Sequence, residues 1–290
     1  MGRNKRKAPK VIFLGFIVVL GTILMVVINE IQSQASSLDL NVQILNAQSI
    51  DYKEINIDDI KNTHELWLVN ANHSIKNEIT ENSLQSAYQK IALSRSDIKM
   101  NPTALEKIEE MFAAAKKSGM DSLVVTSGYR TKQKQNQLYQ QAEDKSYVQI
   151  PGCSEHETGL AADIQLESGG MNNLGDTKQG TWLMKNSWIY GYIIRYPKDK
   201  VNLTGISYEA WHFRYVGLPH AAFMKTKNLC LEEYIDYLKK NNQYEIKVGD
   251  KKYLIYRVTA KNGKIKVPKS LNYTVSDDNC GGYIVSVILK

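Results

Sequence analysis

Two of the five histidines stand in the densest polar motifs of the chain. His156 lies in Ser154-Glu155-His156-Glu157-Thr158-Gly159-Leu160-Ala161-Ala162-Asp163, and His212 in Glu209-Ala210-Trp211-His212. Two imidazoles and one carboxylate form a donor set for Zn²⁺ that leaves a fourth tetrahedral position open for water, as a hydrolytic zinc site requires. His156, Asp163 and His212 meet that count, for one ion per chain. Such a site needs a base for the water's proton. Glu209, three residues before His212 at the entry to an expected strand, can serve without being a ligand. Spacing alone leaves this open. His-x6-Asp has no single helical geometry behind it, and the same residues also read as ordinary turn and strand positions.

The elements that must position these residues are legible in outline. Glu65 to Val69 reads as a first core strand. Asn101-Pro102-Thr103 opens a helix on which Leu105, Ile108, Met111, Phe112 and Ala115 recur at helical spacing, and Ser118-Gly119 stops it. Leu123 to Thr126 reads as a strand and Lys132 to Ala142 as a helix. Leu160 to Leu166 and Ala210 to Val216 are the strands expected to carry Asp163 and His212. Trp182 to Trp188 reads as a helix, Tyr192 to Tyr196 as a strand and Glu232 to Lys240 as a closing helix. Helices interleaved with short strands argue for an α+β domain, a small antiparallel sheet with flanking helices. From Tyr244 the pattern alternates over 244–248, 252–258, 264–267 and 283–289, with Asn262-Gly263 as a hairpin signal. That predicts a small separate all-β unit over 242–290.

The formal net charge of +7 is concentrated at one end: five basic residues fall within the first ten, leaving 32 Lys and Arg against 30 Asp and Glu. A nucleic-acid binder needs a basic stripe on its folded part, so that class is set aside. Val11 to Ile28 is free of charge, and as a helix it would span roughly 27 Å, close to a bilayer's hydrocarbon core. The basic cluster before it predicts a cytoplasmic tip over 1–10, a single membrane-spanning helix over 11–28, and an extracytoplasmic remainder that begins with a polar tether over 29–64. A cleavable signal peptide ending near Ser33-Gln34-Ala35 is the competing reading, and it too places the rest outside. Cys153, Cys230 and Cys280 are too few for a disulfide framework. A Cys230–Cys280 bridge remains open.

Ser127-Gly128-Tyr129-Arg130, then Ser154-x-His156-x-x-Gly159-x-Ala161-x-Asp163, then Glu209-x-Trp211-His212-Phe213-Arg214-Tyr215-Val216-Gly217 follow one another in this order. The combination resembles the VanY-type D-alanyl-D-alanine carboxypeptidases of the M15 zinc peptidase family, over about 65–241. The resemblance implies that His156, Asp163 and His212 hold Zn²⁺ and that Glu209 is base and then acid. It also implies that Arg130 stabilises the oxyanion, and that Gln135 and Ser154 contact the terminal D-residue with Trp211 lining or backing its pocket. Ser127 and Tyr129, in the arginine's own motif, are placed with the substrate contacts. A fixed, always charged guanidinium suits an oxyanion. Cys153 departs from the family's usual small residue there, and its thiolate is a conceivable competitor for the metal.

Glu155 and Glu157 flank a ligand, and on an extended chain both would point away from its face, toward solvent or behind the ligands. Arg195 and Arg214 read as surface salt-bridge partners. His64, His73 and His220 have no carboxylate in a motif and are assigned nothing. The expected activity is a membrane-anchored D,D-carboxypeptidase acting on peptidoglycan stem peptides or their lipid-linked precursor. An L,D-carboxypeptidase, a wall endopeptidase, a D-Ala-D-Ala dipeptidase and a non-catalytic wall-binding or sensor module are the alternatives.

Overall fold

The longest helix between residues 65 and 241 forms where the sequence caps it. The Asn101 side chain accepts hydrogen bonds from the Thr103 and Ala104 amides, and Pro102 fills the first turn, where no amide is needed. This helix, α1 (Pro102–Lys117), buries Ala104, Leu105, Ile108, Met111 and Ala115 along one face. Its end is closed by bonds from the Ser118 and Gly119 amides to carbonyls of the last turn. In this computed structural model, residues 41–169 and 171–289 are described. The membrane helix expected over 11–28 and the basic tip before it lie outside them. No helix of the described residues is long and apolar enough to cross a membrane.

The strands β1 (Val42–Leu45), β2 (Tyr52–Asn56), β3 (Gln85–Ser86) and β4 (Lys99–Met100) precede α1, and β3 pairs with β4. Then come β5 (Leu123–Ser127), α2 (Lys132–Gln141), β6 (Ala161–Leu166), α3 (Lys178–Asn186), β7 (Tyr192–Ile194), α4 (Val201–Thr204) and β8 (His212–Tyr215). The site sheet is antiparallel throughout, in the order β5-β6-β8-β7. Its β6 is buried over Ala161 to Ile164, and α1 packs in the same core as Val125, Ala162, Ile164 and Phe213. The mixed α/β architecture with small antiparallel sheets agrees with the expected class. The segment Leu66–Val69 is buried but is not a strand. Its amides instead reach the far end of the chain, Leu66 N to Ser276 Oγ and Leu68 N to the Asp278 carbonyl.

After β8 follow α5 (Leu218–Lys227), α6 (Leu231–Asn241), β9 (Gln243–Val248), β10 (Lys251–Val258), β11 (Lys264–Pro268), β12 (Tyr273–Asp277) and β13 (Tyr283–Ile288). A five-stranded sheet runs β1-β9-β10-β13-β12, and β11 pairs with β2. Two expectations are corrected here. Residues 42–45 and 52–56, expected within a tether over 29–64, are strands paired with C-terminal strands, Val42 opposite Val248 of β9 and Tyr52 opposite Pro268 of β11. The C-terminal sheet is also not a separate unit: Tyr244, Ile246, Val248, Ile255 and Ile284 share one core with Leu66, Val216, Phe223, Leu231, Tyr234 and Leu238. A sheet of this size buries too little apolar surface to stand alone, so it takes the apolar stripe of α6 as its second layer. Asn262 and Gly263 do make a tight turn at φ 51° and 70°, but β11 then leaves β10 for β2.

His220 of α5 sits in that shared core. Its Nδ1 lies 2.6 Å from Tyr234 Oη and its Nε2 2.8 Å from Ser286 Oγ. Burial pulls its pKa down to about 3. An imidazole that stays neutral in the folded state but protonates when unfolded costs stability as pH falls below about 6.5, by about 1.4 kcal/mol per pH unit, until the folded form also protonates. His220→Gln should therefore flatten the loss of unfolding free energy between pH 6.5 and 4 by close to one proton's slope. Urea melts of the two proteins across that range measure it, and parallel slopes would contradict it.

Candidate metal centre and active-site cavity

Strand pairing makes the first contact of the site. Asp163 on β6 is the register partner of His212 on β8, and its Oδ1 lies 3.0 Å from His212 Nδ1. His156 arrives from a single 3₁₀ turn, Glu155–Thr158, ended by Gly159 at φ 72°. A side chain on Gly159 would be strained at that φ and would meet Leu84 Cδ2 at 2.6 Å, so the turn requires glycine. The His156 Nδ1–H donates to the Gly128 carbonyl at 2.7 Å. That leaves Nε2 as the lone-pair nitrogen; it lies 3.3 Å from Asp163 Oδ2, is buried, and has no hydrogen-bond partner.

Ligand atoms of His156, Asp163 and His212 fall within 4.8 Å of one another, all buried. A buried imidazole nitrogen with no partner, converging with a carboxylate and a second imidazole, fits a divalent cation of zinc's preferences. Electrostatics is consistent with such a cluster. Burial and the nearby Arg130 charge lower His156 to about 4. Burial would raise Asp163, but the two imidazoles outweigh it and hold the carboxyl well below the usual range. Burial also works against a charged His212, yet its hydrogen bonds to Asp163 and Glu155 lift it to about 9.

Glu209 is buried beside this cluster, with Oε2 at 3.8 Å from His212 Nδ1. Burial pushes it up to about 8 against the opposing pull of His212. Arg130 follows β5; its amide donates to the His156 carbonyl and its Nη2 stands 3.9 Å from Asp163 Oδ2. These groups line a cavity of about 360 Å³ together with Gln135, Ser154, Trp211, Leu138, Tyr147 and Ile206. Gln135 Nε2 donates to the Gln149 carbonyl, while its buried Oε1 has no partner. Trp211 stacks on Tyr147 with ring centroids 6.2 Å apart.

Ser127 and Tyr129 stand apart from this group. Neither lines the cavity: Ser127 pairs with Asp163 through the backbone, and the Tyr129 amide donates to the Lys99 carbonyl. Cys153 is outside the ligand set, and burial pushes its thiol up, which disfavours a thiolate. Cys230 and Cys280 are free; Cys230 instead caps α6 reciprocally with Glu233.

The charged residues beside the motif are where the sequence misleads. Glu155, Arg195 and Arg214 are at most 1% exposed. Glu155 Oε1 accepts from Arg195 Nε and Arg214 Nη1, each at 2.7 Å, and Oε2 lies 3.4 Å from His212 Nε2. Arg195 donates onward to Glu232 at 2.9 and 2.6 Å. Burial would raise Glu155, but the two guanidiniums hold it well below the ordinary carboxylate range. Glu157 is buried too, accepting from the Gly152 amide at 2.8 Å. Alternation of sides holds for an extended chain, whereas this segment is a 3₁₀ turn, so the expected outward direction fails. Tyr196, one of the aromatics of the expected strand Tyr192 to Tyr196, reads as core in the sequence, yet it lines the cavity with its ring 4.9 Å from that of His212.

The VanY family model, described as D-alanyl-D-alanine carboxypeptidase, matches residues 97–218. A D-alanyl-D-alanine carboxypeptidase of Enterococcus faecium is 38% identical over 229 residues, covering 77% of this chain and 74% of the relative. The vancomycin-resistance D,D-dipeptidase VanXYg, solved with a D-Ala-D-Ala phosphinate analogue, superposes with a TM-score of 0.71 at 29% identity, over 83% of this chain and all of that one. A mutant of the vancomycin-resistance D,D-pentapeptidase VanY in complex with Zn(II) gives a TM-score of 0.51 at 33% identity, over 59% of this chain and 98% of that one.

The Gly128 carbonyl holds its place because nothing projects from its Cα. A Cβ there would sit 2.6 Å from the Lys99 carbonyl oxygen and 2.9 Å from Ile98 Cγ2. Gly128→Ala should push β5 off β4 and cost about 1–3 kcal/mol, as overpacking does. Denaturant unfolding measures this, and a change below about 0.5 kcal/mol, the scale of a neutral surface substitution, would contradict it.

Proposed function

Since this chain belongs to the VanY family of D-alanyl-D-alanine carboxypeptidases, we propose that it is a zinc-dependent D,D-carboxypeptidase that removes the terminal D-Ala from peptidoglycan pentapeptide stems. The observation behind this reading is the unpartnered Nε2 of His156 converging with Asp163 and His212 beside the buried Glu209. His156, Asp163 and His212 would hold the ion. Bound there, Zn²⁺ supplies Lewis acidity toward water and the peptide carbonyl.

The chain's own residues supply the rest. Glu209 takes a proton from the attacking water and returns it to the leaving amine. A carboxyl raised by burial and lowered by nearby positive charge does both near neutral pH. The Arg130 guanidinium, at the cavity wall beside Asp163, binds the oxygen that gains charge as the carbonyl becomes tetrahedral. Leu138, Ile206 and the Trp211–Tyr147 pair offer the apolar wall that a D-Ala methyl needs, and the free Gln135 Oε1 offers an acceptor. No covalent acyl intermediate is required.

The uncharged run Val11–Ile28 behind a basic cluster supports a single-pass anchor with the enzyme outside the membrane, next to wall peptides and their lipid-linked precursor. The resistance role printed for the VanXYg and VanY structures is proposed for this chain on the same footing.

The test uses the full chain in detergent on a muramyl pentapeptide ending in D-Ala-D-Ala, read by mass spectrometry. Loss of one alanine, suppressed by a chelator and restored by Zn²⁺, is expected. Glu209→Ala should lower turnover by about 10²- to 10⁴-fold, the scale of a lost general base, with its zinc content unchanged. Cleavage of tetrapeptides but not pentapeptides would replace this reading by an L,D-carboxypeptidase. Zinc binding without any cleavage would leave a binding module.

A further inference from the structure

We propose that Glu155 is a positioning residue for the metal site. Clamped by Arg195 and Arg214, its carboxylate accepts a hydrogen bond from Nε2–H of His212 and thereby presents Nδ1 of that ring to Asp163 and the ion. This rests on the zinc reading above and deepens it.

The two ligand rings are held in opposite senses. His156 donates a hydrogen bond from Nδ1–H to a backbone carbonyl, at 2.7 Å from Gly128 O, and turns Nε2 inward. His212 turns Nδ1 inward, 3.0 Å from Asp163 Oδ1, and has Nε2 facing Glu155 Oε2 at 3.4 Å. A carboxylate behind a ligating imidazole fixes both its tautomer and its ring plane, and raises its basicity. A Gly128-type carbonyl can do this with one dipole, whereas a buried carboxylate brings a full charge that must be neutralised. The guanidiniums of Arg195 and Arg214 do so, each at 2.7 Å from Oε1.

Those bonds also set the direction of the carboxylate. Oε1 is engaged by both arginines, so the group cannot rotate without giving up two buried charge-assisted hydrogen bonds, and Oε2 stays on His212. Arg214 is itself anchored on the carbonyls of Glu65 and Trp67 at 3.0 Å, and Arg195 on Glu232. Glu155 therefore acts through His212 and is not among the converging ligand atoms.

The experiment compares Glu155→Gln with Glu232→Gln in the full chain. Zinc affinity is measured by competition with a chromophoric chelator, the visible bands of the Co²⁺-substituted protein are recorded, and Tm is followed alongside. Glu155→Gln should weaken zinc binding about 10- to 100-fold and alter the Co²⁺ bands. Glu232→Gln cuts the outer end of the same network, so it should lower Tm while zinc affinity and Co²⁺ bands stay as in the parent. If Glu155→Gln fails to fold, Glu155→Asp keeps the charge between the arginines and withdraws it from His212, and the same weakening is expected. Parent-like zinc affinity in the Glu155 variant that folds overturns the inference. Equal weakening by both variants, in proportion to their loss of Tm, also overturns it in favour of a purely structural ion pair. A parent protein that binds neither Zn²⁺ nor Co²⁺ overturns the zinc reading itself, and the inference with it.

Discussion

The antiparallel pairing of β6 with β8 is the constraint on which the site depends. It sets Asp163 opposite His212 although 49 residues separate them in the chain. A slip of one residue would turn Asp163 to the other face of the sheet, among Ala162 and Ile164, where its charge would have no partner. Register is therefore enforced by the apolar neighbours of the ligands as much as by the ligands. Ala162 and Ile164 can face only the core built on α1, so Asp163 can face only the cavity. The third ligand is set by backbone as well: Gly159 lets the 3₁₀ turn reverse into β6, and Gly128, packed against β4 where no Cβ fits, accepts the hydrogen bond of His156 Nδ1–H.

Around this pairing the protein buries an unusual amount of charge. Glu155, Arg195 and Arg214 are withdrawn from water together, with Glu232 nearly so. Hydrophobic residues of similar volume would often stabilise a fold as well or better. A buried network is tolerable when every donor and acceptor has a partner, and here the guanidiniums are met by carboxylates and backbone carbonyls. Its return is directional: an apolar substitute could fill the space behind His212, but could not tell its two ring nitrogens apart.

The sequence makes some of this legible. Asn101-Pro102 and the spacing from Leu105 to Ala115 write α1 out in local terms, and Gly159 and the order of the motifs point to the ligands and to Glu209. Other parts are not local. β1 and β2 are four- and five-residue strands in a polar background, and only their pairing with β9 and β11 makes them strands. α5 carries no helical stripe because His220 to Met224 are all buried, so a search for amphipathic spacing passes over it. Glu155 is harder still. Its burial depends on two arginines from β8 and the end of β7 arriving at one point, and nothing in Ser-Glu-His-Glu announces that. The apparent alternation of Glu155, His156 and Glu157 belongs to an extended chain, and the turn cancels it.

The same logic ties the C-terminal sheet to the stability of the buried network behind the site. Helix α6 has two attachments: Glu232 in its first turn reaches Arg195, while Leu231, Tyr234, Ile235 and Leu238 lie in the core shared with β9, β10 and β13. Asn70, which donates to Glu232 at 3.0 Å, comes from the segment that the far end of the chain holds through Ser276 and Asp278. Pulling the sheet away would expose the apolar stripe of α6, and with it loosen the carboxylate that orients Arg195. None of the sheet's strands bears a catalytic group. They fix the outer end of the buried ion-pair network, Glu232 and Arg195, and contribute to its stability, while Arg214 also holds the carboxylate behind His212.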